Sequence, residues 1–431
     1  MTYEEAIAYL YSRLPVFQNH GARAYKPGLS TTRAFCERLG NPQNTYKTIH
    51  VGGTNGKGST SHMLASVLQH AGYRVGLYTS PHLKSFTERI RVNGQPVRED
   101  FVSEFVTVHS DYIASIEPSF FEVTVAMAFA YFSSENVEVA VIEVGMGGRL
   151  DSTNIITPEL ALITNISFDH TQYLGDTLPK IAFEKAGIIK PTIPIVLSER
   201  MPPEVLDVFE ERAAELDARL VVAAERITIS SHSFQTGKLN IAVKYSHKKK
   251  LYRYQLDLLG EYQLNNVKGV LSALEILNDT GFVIHPSAIK SGLASVRTTT
   301  GLKGRWQQIQ SEPLVLCDTA HNKAGLELTI GQFKQIEASK HRFVLGFVAD
   351  KEIESILSLF SNEDTFYFCQ PQNPRALPVE NLVQAAQIAG FTGESLDNVN
   401  SALEKAIHDS NAADAIYVGG STFVVADLNS L

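Results

Sequence analysis

The segment Gly53-Thr54-Asn55-Gly56-Lys57-Gly58-Ser59 has the residue types and spacing of a phosphate-binding loop. It follows a short apolar run ending Ile49-His50-Val51 and leads into a helical pattern over Ser61–Ala71. Glycines let backbone N–H groups approach an anion, a helix N-terminus adds positive potential, and Lys57 supplies a formal charge. A glycine-rich turn with a surface lysine is the plainer reading, but it leaves three glycines around one lysine unaccounted for. The spacing also departs from the ordinary Walker A pattern, which has a glycine five residues before its Gly-Lys and a Ser or Thr after it to ligate Mg²⁺. Val51 and Gly58 occupy those two positions, and Ser59 comes one residue late. A metal-binding hydroxyl must therefore come from elsewhere, which disfavours a generic kinase or GTPase.

Three further clusters carry chemistry. Glu143 stands in the apolar run Ala140-Val141-Ile142-Glu143-Val144, just before the glycine-rich exit Gly145–Arg149. A carboxylate there is costly to bury unless it is paired or bound to a cation. A Mg²⁺ ligand is favoured over a solvent-facing residue or an ion pair with Arg149. His170, in Phe168-Asp169-His170-Thr171, follows the next apolar run and is expected to open at the same sheet edge. Ser80, in Thr79-Ser80-Pro81-His82-Leu83, could supply the hydroxyl that Gly58 cannot. Near the C-terminal third, Leu316-Cys317 runs into Asp318-Thr319-Ala320-His321-Asn322. Those polar side chains fit either a site at a domain cleft or a structural turn. On composition alone Glu184 and Lys185 read as a solvated helix face.

The elements that must position these groups alternate. Strand patterns fall at Thr48–Val51, Val75–Tyr78, Val139–Val144, Leu160–Thr164 and Ile195–Leu197. Helical patterns such as Arg98–Ser110, Phe121–Ser133 and Leu178–Ala186 lie between them. This predicts an α/β fold with a doubly wound, mostly parallel sheet of P-loop type, with ligands at the carboxyl ends of its strands. Over residues 219–258 the pattern changes to strands alone (Leu220–Ala223, Ile227–Ile229, Leu239–Tyr245, Tyr252–Leu258), predicting a small appended antiparallel sheet. Helices are expected over Asn265–Asn278 and from Pro286. Residues 298–304 read as a linker between a first domain, 1–297, and a second, smaller Rossmann-like α/β domain, 305–431. Its strands are expected at Leu314–Cys317, Arg342–Phe347, Asp364–Phe368 and Ala415–Val418.

Bulk properties narrow the class. The chain has 431 residues, 44% hydrophobic and 19% charged, with a net charge of −8, which gives no basic face for nucleic acid. Lys248-Lys249-Lys250 reads as a solvated hairpin tip. Cys36, Cys317 and Cys369 are too scattered for a disulfide framework or a zinc site. The acidic, amphipathic start and the absence of a long apolar stretch lead to the expectation of a cytoplasmic enzyme without membrane association.

Taken together, these segments resemble the folylpolyglutamate synthase family, often bifunctional with dihydrofolate synthase, within the Mur ligase superfamily. Nine segments occur in family order: Leu29-Ser30-Thr31-Thr32-Arg33, the Gly53–Ser59 loop, Thr79–Leu83, Glu143–Asn154, Asp169-His170, Glu184–Lys190, Tyr262-Gln263-Leu264-Asn265-Asn266, Gly304-Arg305-Trp306 and Asp318–Asn322. The resemblance covers essentially the whole chain. It implies a monomeric amide ligase that phosphorylates a folate carboxylate with ATP, after which the amine of L-glutamate attacks the acyl phosphate. The folate substrate is implied to be tetrahydrofolate, with dihydropteroate taken on the same chain.

The resemblance also implies roles for residues. Thr54, Asn55, Gly56, Lys57, Gly58 and Ser59 would hold the ATP phosphates, and Asn266, Arg305 and Asp318 would contact the nucleotide. Ser80, Glu143 and His170 would bind Mg²⁺. Lys185 matches a lysine carbamylated in several superfamily members, where it supports a second metal. Lys57, Lys185 and His321 are the implied catalytic set. His321 and Ser421 match positions near the incoming glutamate, and Leu29, Thr31, Thr32 and Arg33, with Pro27-Gly28 before them, match a region that contacts pteroate. Tyr262 and Thr319 stand where many members carry His and Gly. A Mur-type peptidoglycan ligase is the main alternative, although a loop at residue 53 leaves no room before it for a UDP-sugar domain. A P-loop switch ATPase is a second alternative, opposed by Gly58 and by the second α/β domain.

Overall fold

The structure is a computed structural model and describes residues 1–14, 28–351 and 353–431. Pro27 lies outside the described residues. The described residues form two compact units: one takes Met1–Leu14, Gly28–Asp257 and Gln263–Leu302, and the other takes Leu258–Tyr262 and Lys303–Leu431.

The first unit is organised by an eight-stranded sheet of order β4-β3-β2-β5-β1-β6-β7-β8. Its strands are β1 (Lys47–Gly52), β2 (Val75–Tyr78), β3 (Ile90–Val92), β4 (Gln95–Pro96), β5 (Val139–Glu143), β6 (Leu160–Ile163), β7 (Ile195–Leu197) and β8 (Leu220–Val222). The six strands from β2 through β8 in that order run parallel, and β3 and β4 form an antiparallel edge. β1, β2, β5 and β6 are buried almost end to end, as expected of a parallel sheet covered by helices on both faces. One core packs Phe129 and Phe132 of helix Phe120–Ser134 with Tyr78 of β2, and another packs Ile163, Ile188, Leu197 and Phe209.

A three-stranded antiparallel sheet follows, of order β11-β10-β9, made of β9 (Ile227–Gln235), β10 (Lys238–Tyr245) and β11 (Leu251–Leu256). The expected appended sheet over 219–258 is therefore smaller. Leu220–Val222 instead joins the main sheet, because helix Pro203–Glu215 carries the chain back to lie parallel to β7. The expected linker 298–304 also changes: helix Val296–Thr300 takes its first three residues and ends at Gly301, whose φ of 71° only a glycine adopts freely.

The second unit holds a six-stranded sheet of order β12-β13-β17-β14-β15-β16. These are β12 (Gln307–Ser311), β13 (Leu314–Cys317), β14 (His341–Leu345), β15 (Thr365–Cys369), β16 (Gly393–Leu396) and β17 (Ala415–Gly419). All pairings are parallel except β12 with β13. Phe333, Phe343, Phe366 and Tyr417 fill its core. Polar edge strands β12 and β16 are absent from the sequence expectation because Gln307–Ser311 and Gly393–Leu396 lack apolar alternation. Among the described residues, no helix is long and apolar enough to cross a membrane.

Candidate active site

β1 ends in the phosphate-binding loop, and helix Lys57–His70 begins directly after it. Gly53 has φ 133°, and a Cβ there would sit 1.9 Å from Thr164 Oγ1. Gly56, at φ 84°, caps the helix, and a Cβ there would fall 2.3 Å from Asn266 Oδ1. Only glycine leaves this cradle open, and its backbone turns toward the helix N-terminus where an anion is best held.

The loop is strapped to the segment after β6. Thr54 N–H donates to Asn165 O at 2.9 Å, Asn55 N–H donates to Asn165 Oδ1 at 2.9 Å, and Thr54 Oγ1 donates to Ser167 O at 3.1 Å. Helix Gln263–Asp279 braces the other side: Gln263 Nε2 donates to Ser59 Oγ at 3.0 Å, and Asn266 Nδ2 donates to Gln263 Oε1 at 2.8 Å. The Ser59 hydroxyl thus accepts from Gln263 and is buried. Asn266 lies beside the loop; Asn165, Ser167 and Gln263 carry no expectation from the sequence. A polar run immediately after a parallel strand is the signal that marks the first two.

Lys57 Nζ donates to Gly53 O at 3.1 Å and to Thr54 O at 2.9 Å. Lys185, on helix Leu178–Ala186, is not on a solvated face. It is 4% exposed, and its Nζ donates to the same Gly53 O at 2.9 Å. Burial, and then the charge on Lys57, push its pKa down to about 7, with Asp169 and Asp151 partly opposing. Near neutral pH this amine is therefore in good part neutral, the form that attacks an electrophilic carbon.

β2 and β5 are parallel neighbours, so Ser80 and Glu143 emerge at adjacent carboxyl ends. Ser80 N–H donates to Glu143 Oε2 at 3.0 Å, and Glu143 is 4% exposed. His170 caps the short helix Thr171–Leu174 with φ 51°, its Nε2 4.0 Å from Asp169 Oδ2. Among the described residues, no cluster of three or more His, Cys, Asp and Glu side chains has metal-holding geometry. The expected set differs by including a hydroxyl. The buried Glu143 carboxylate, with the Ser80 backbone N–H on one of its oxygens, is the kind of oxygen donor a hard divalent cation takes, and on that chemistry Glu143 fits Mg²⁺.

The glycine-rich exit after Glu143 is held by Asp151, a residue without a sequence-derived role. Its Oδ2 accepts Met146 N–H at 3.0 Å, and its Oδ1 accepts Thr153 N–H at 3.0 Å and the Thr153 hydroxyl. Thr153 Oγ1, donating to Asp151, accepts from His50 Nε2 at 2.9 Å. A relay His50–Thr153–Asp151 therefore ties β1 to this loop. Burial pushes the His50 pKa down to about 3, Lys190 adding to the effect, so the ring is neutral. After Ser80, His82 accepts from Arg89 Nε at 2.8 Å through Nδ1, leaving Nε2–H for Tyr11 OH at 3.2 Å.

Leu29, Thr31, Thr32 and Arg33 stand at the start of helix Ser30–Arg38. Thr32 is fully buried and Arg33 is exposed, and the helix packs against helix Phe120–Ser134.

In the second unit, Asp318 follows β13 and Ser421 follows β17, its parallel neighbour. Buried Asp318 accepts from Tyr262 OH at 2.7 Å, Trp306 N–H at 2.7 Å and Ala320 N–H at 2.8 Å. Burial raises its pKa, and Arg305 opposes the rise. Arg305 Nη1 donates to Thr319 Oγ1. His321 Nδ1 lies 3.1 Å from Thr319 O, while Ser421 Oγ caps helix Thr422–Asp427, accepting Val424 N–H at 3.2 Å. The polar cluster is thus partly a structural turn, with Asn322 capping helix Lys323–Lys334.

Comparison with known proteins matches this arrangement. Residues 51–274 match the Mur ligase middle domain, and residues 304–422 match the Mur ligase, glutamate ligase domain. The dihydrofolate synthase/folylpolyglutamate synthase of Bacillus subtilis is 32% identical, over 99% of this chain and 98% of its own length. The chain belongs to the folylpolyglutamate synthase/dihydrofolate synthase family. The Escherichia coli member is also 32% identical, over 98% of this chain and 95% of its own. The solved structure of E. coli FolC in complex with DHPP and ADP superposes with a TM-score of 0.85 at 31% identity, covering 99% of this chain and 96% of that one. The Mycobacterium tuberculosis folylpolyglutamate synthase complexed with ADP and AMPPCP gives 0.83 at 31% identity, covering 93% and 94%. The family's two-domain α/β architecture is the one described above.

Proposed function

We propose that the chain is an ATP-dependent carboxylate–amine ligase that adds L-glutamate to tetrahydrofolate and, as a dihydrofolate synthase, to dihydropteroate. The observation that carries this reading is similarity at 32% identity over 99% of the chain to a relative with both activities in its name. The phosphate loop supports it.

A carboxylate oxygen is a poor leaving group. In the proposed reaction a carboxylate oxygen of the folate attacks the γ-phosphorus of ATP and ADP departs, giving an acyl phosphate. The glutamate amine then attacks the acyl carbon, the C–O bond to phosphate breaks, and the amine loses a proton. Charge moving between phosphate oxygens is met by the loop N–H groups and by Lys57. Ser80, Glu143 and His170 would hold Mg²⁺, which when bound neutralises phosphate charge. A carbamate on Lys185, formed by its neutral amine on CO₂, would provide a carboxylate for a second Mg²⁺.

In the second unit, Arg305 and Asp318 are proposed to contact the nucleotide, and His321 and Ser421 the incoming glutamate. Leu29, Thr31 and Arg33 are proposed to contact the pteroate group, with buried Thr32 shaping their helix. The enzyme is proposed to act as a monomer in the cytoplasm. ADP release from purified protein, with dihydropteroate and tetrahydrofolate compared with and without L-glutamate, tests the reading. Turnover independent of glutamate would overturn it.

A further inference from the structure

The three-stranded sheet of the first unit is apolar on one face and forms a polar cleft on the other. Leu239, Ile241, Tyr254 and Leu256 are buried on the apolar face. Strand register puts Ser233, Asn240 and Gln255 in one cross-strand row and Ser231, Ala242 and Arg253 in the next, all on the opposite face by the period of two. This face lines a cleft of about 560 Å³ whose rim is completed by Lys290 of helix Pro286–Ala294, which packs against β11. A solvated sheet face has no packing need for such a concavity, and its volume is that of a small-molecule site.

The chemistry of the lining is one-sided. No Asp or Glu lines the cleft, although the chain carries a net charge of −8. Among the described residues, neither Arg253 nor Lys290 has an ion pair or a side-chain hydrogen bond, so both charges are open to a ligand. The Asn240 amide is oriented by Gln255 Nε2, which donates to Asn240 Oδ1 at 2.9 Å. Ser231 and Ser233 add hydroxyl donors. Guanidinium, ammonium and hydroxyl groups lining one cleft without a carboxylate are complementary to anionic oxygens.

We propose that this cleft is a binding site for a small anion bearing carboxylate or phosphate oxygens, with Arg253 and Lys290 as its charged contacts. The site is separate from the phosphate loop and does not depend on the ligase reading.

The test uses the full chain with ADP saturating the phosphate loop, and equilibrium dialysis against radiolabelled citrate in one arm and pyrophosphate in the other. The expected result is saturable binding of at least one probe, weakened by added salt and by about tenfold or more in the double variant R253Q/K290Q. The arm that binds more tightly identifies the chemical source. Both substituted residues are exposed, so an unchanged melting temperature and unchanged basal turnover are expected. Arg253→Lys should retain part of the affinity. Equal binding by wild type and double variant, or no saturable binding of either probe, would overturn the proposal.

Discussion

Lys57 and Lys185 donate to one acceptor, the carbonyl oxygen of Gly53, at 3.1 and 2.9 Å. The two amines come from elements far apart in the chain, and their approach helps to lower the pKa of Lys185. Near neutral pH Lys185 is therefore in good part neutral while it shares this carbonyl with the loop lysine.

Removing the charge at Lys57 is expected to affect the reaction more than the fold. Lys57→Met should lower kcat by about 10²–10³-fold, the usual cost of losing one preorganised charge-stabilising donor. Its melting temperature should stay close to that of the wild type. Steady-state ADP release beside a thermal melt checks this, and near-normal kcat would remove Lys57 from the proposed chemistry.

For Lys185 the expectation is loss of activity in Lys185→Ala with partial recovery in added bicarbonate or short-chain carboxylic acids, which can replace a carbamate. The recovery should be absent in Lys57→Met. A Lys185→Ala enzyme with full activity would remove the carbamate proposal. Because a carbamate is labile, turnover is a better readout than intact mass.

Glu143→Gln keeps the side-chain shape and an acceptor for Ser80 N–H but removes the charge. The Mg²⁺ concentration for half-maximal activity should rise by about tenfold or more, and chelation should abolish turnover in the wild type. An unchanged Mg²⁺ dependence would place the metal elsewhere.

Acid stability follows from His50. Its folded pKa of about 3 lies below the ordinary histidine value of 6.5, so between these values the unfolded chain binds more protons and stability falls as pH falls. The loss by pH 4 is on the order of 3 kcal/mol from this residue alone. Chemical denaturation from pH 7 to pH 4 should show a shallower decline in His50→Gln, which has no ring to protonate. Parallel declines in the two proteins would contradict the assignment.

Gly53→Ala should be poorly tolerated, since its Cβ would overlap Thr164 Oγ1 and its φ of 133° is strained for any other residue. A loss of roughly 1–3 kcal/mol is expected from backbone strain, together with weaker nucleotide binding, read by denaturant midpoint and ADP titration.

The phosphate loop was legible in the sequence because its signals are local: an apolar strand, glycines where φ must be positive, and a helix start. Ser80 and Glu143 could be placed together because parallel neighbours β2 and β5 deliver their carboxyl ends to one edge. Lys185 was opaque to composition, since its burial comes from packing against a loop 132 positions away. The His50–Thr153–Asp151 relay was hidden for the same reason: a hydrogen-bond chain between distant segments leaves no periodic trace. The pattern of Leu220–Val222 points to the wrong sheet because three apolar residues do not specify whether the next pairing is parallel or antiparallel. The polar edge strands escaped because edges need little apolar surface.

Transfer of oxygen between substrates gives the most direct test of ligase chemistry through an acyl phosphate. Folate substrate with its reacting carboxylate labelled with heavy oxygen, incubated with enzyme, ATP, Mg²⁺ and L-glutamate, is predicted to yield one labelled oxygen in inorganic phosphate for each amide bond formed. Amide formation with unlabelled phosphate, or phosphate release without any amide, would contradict it.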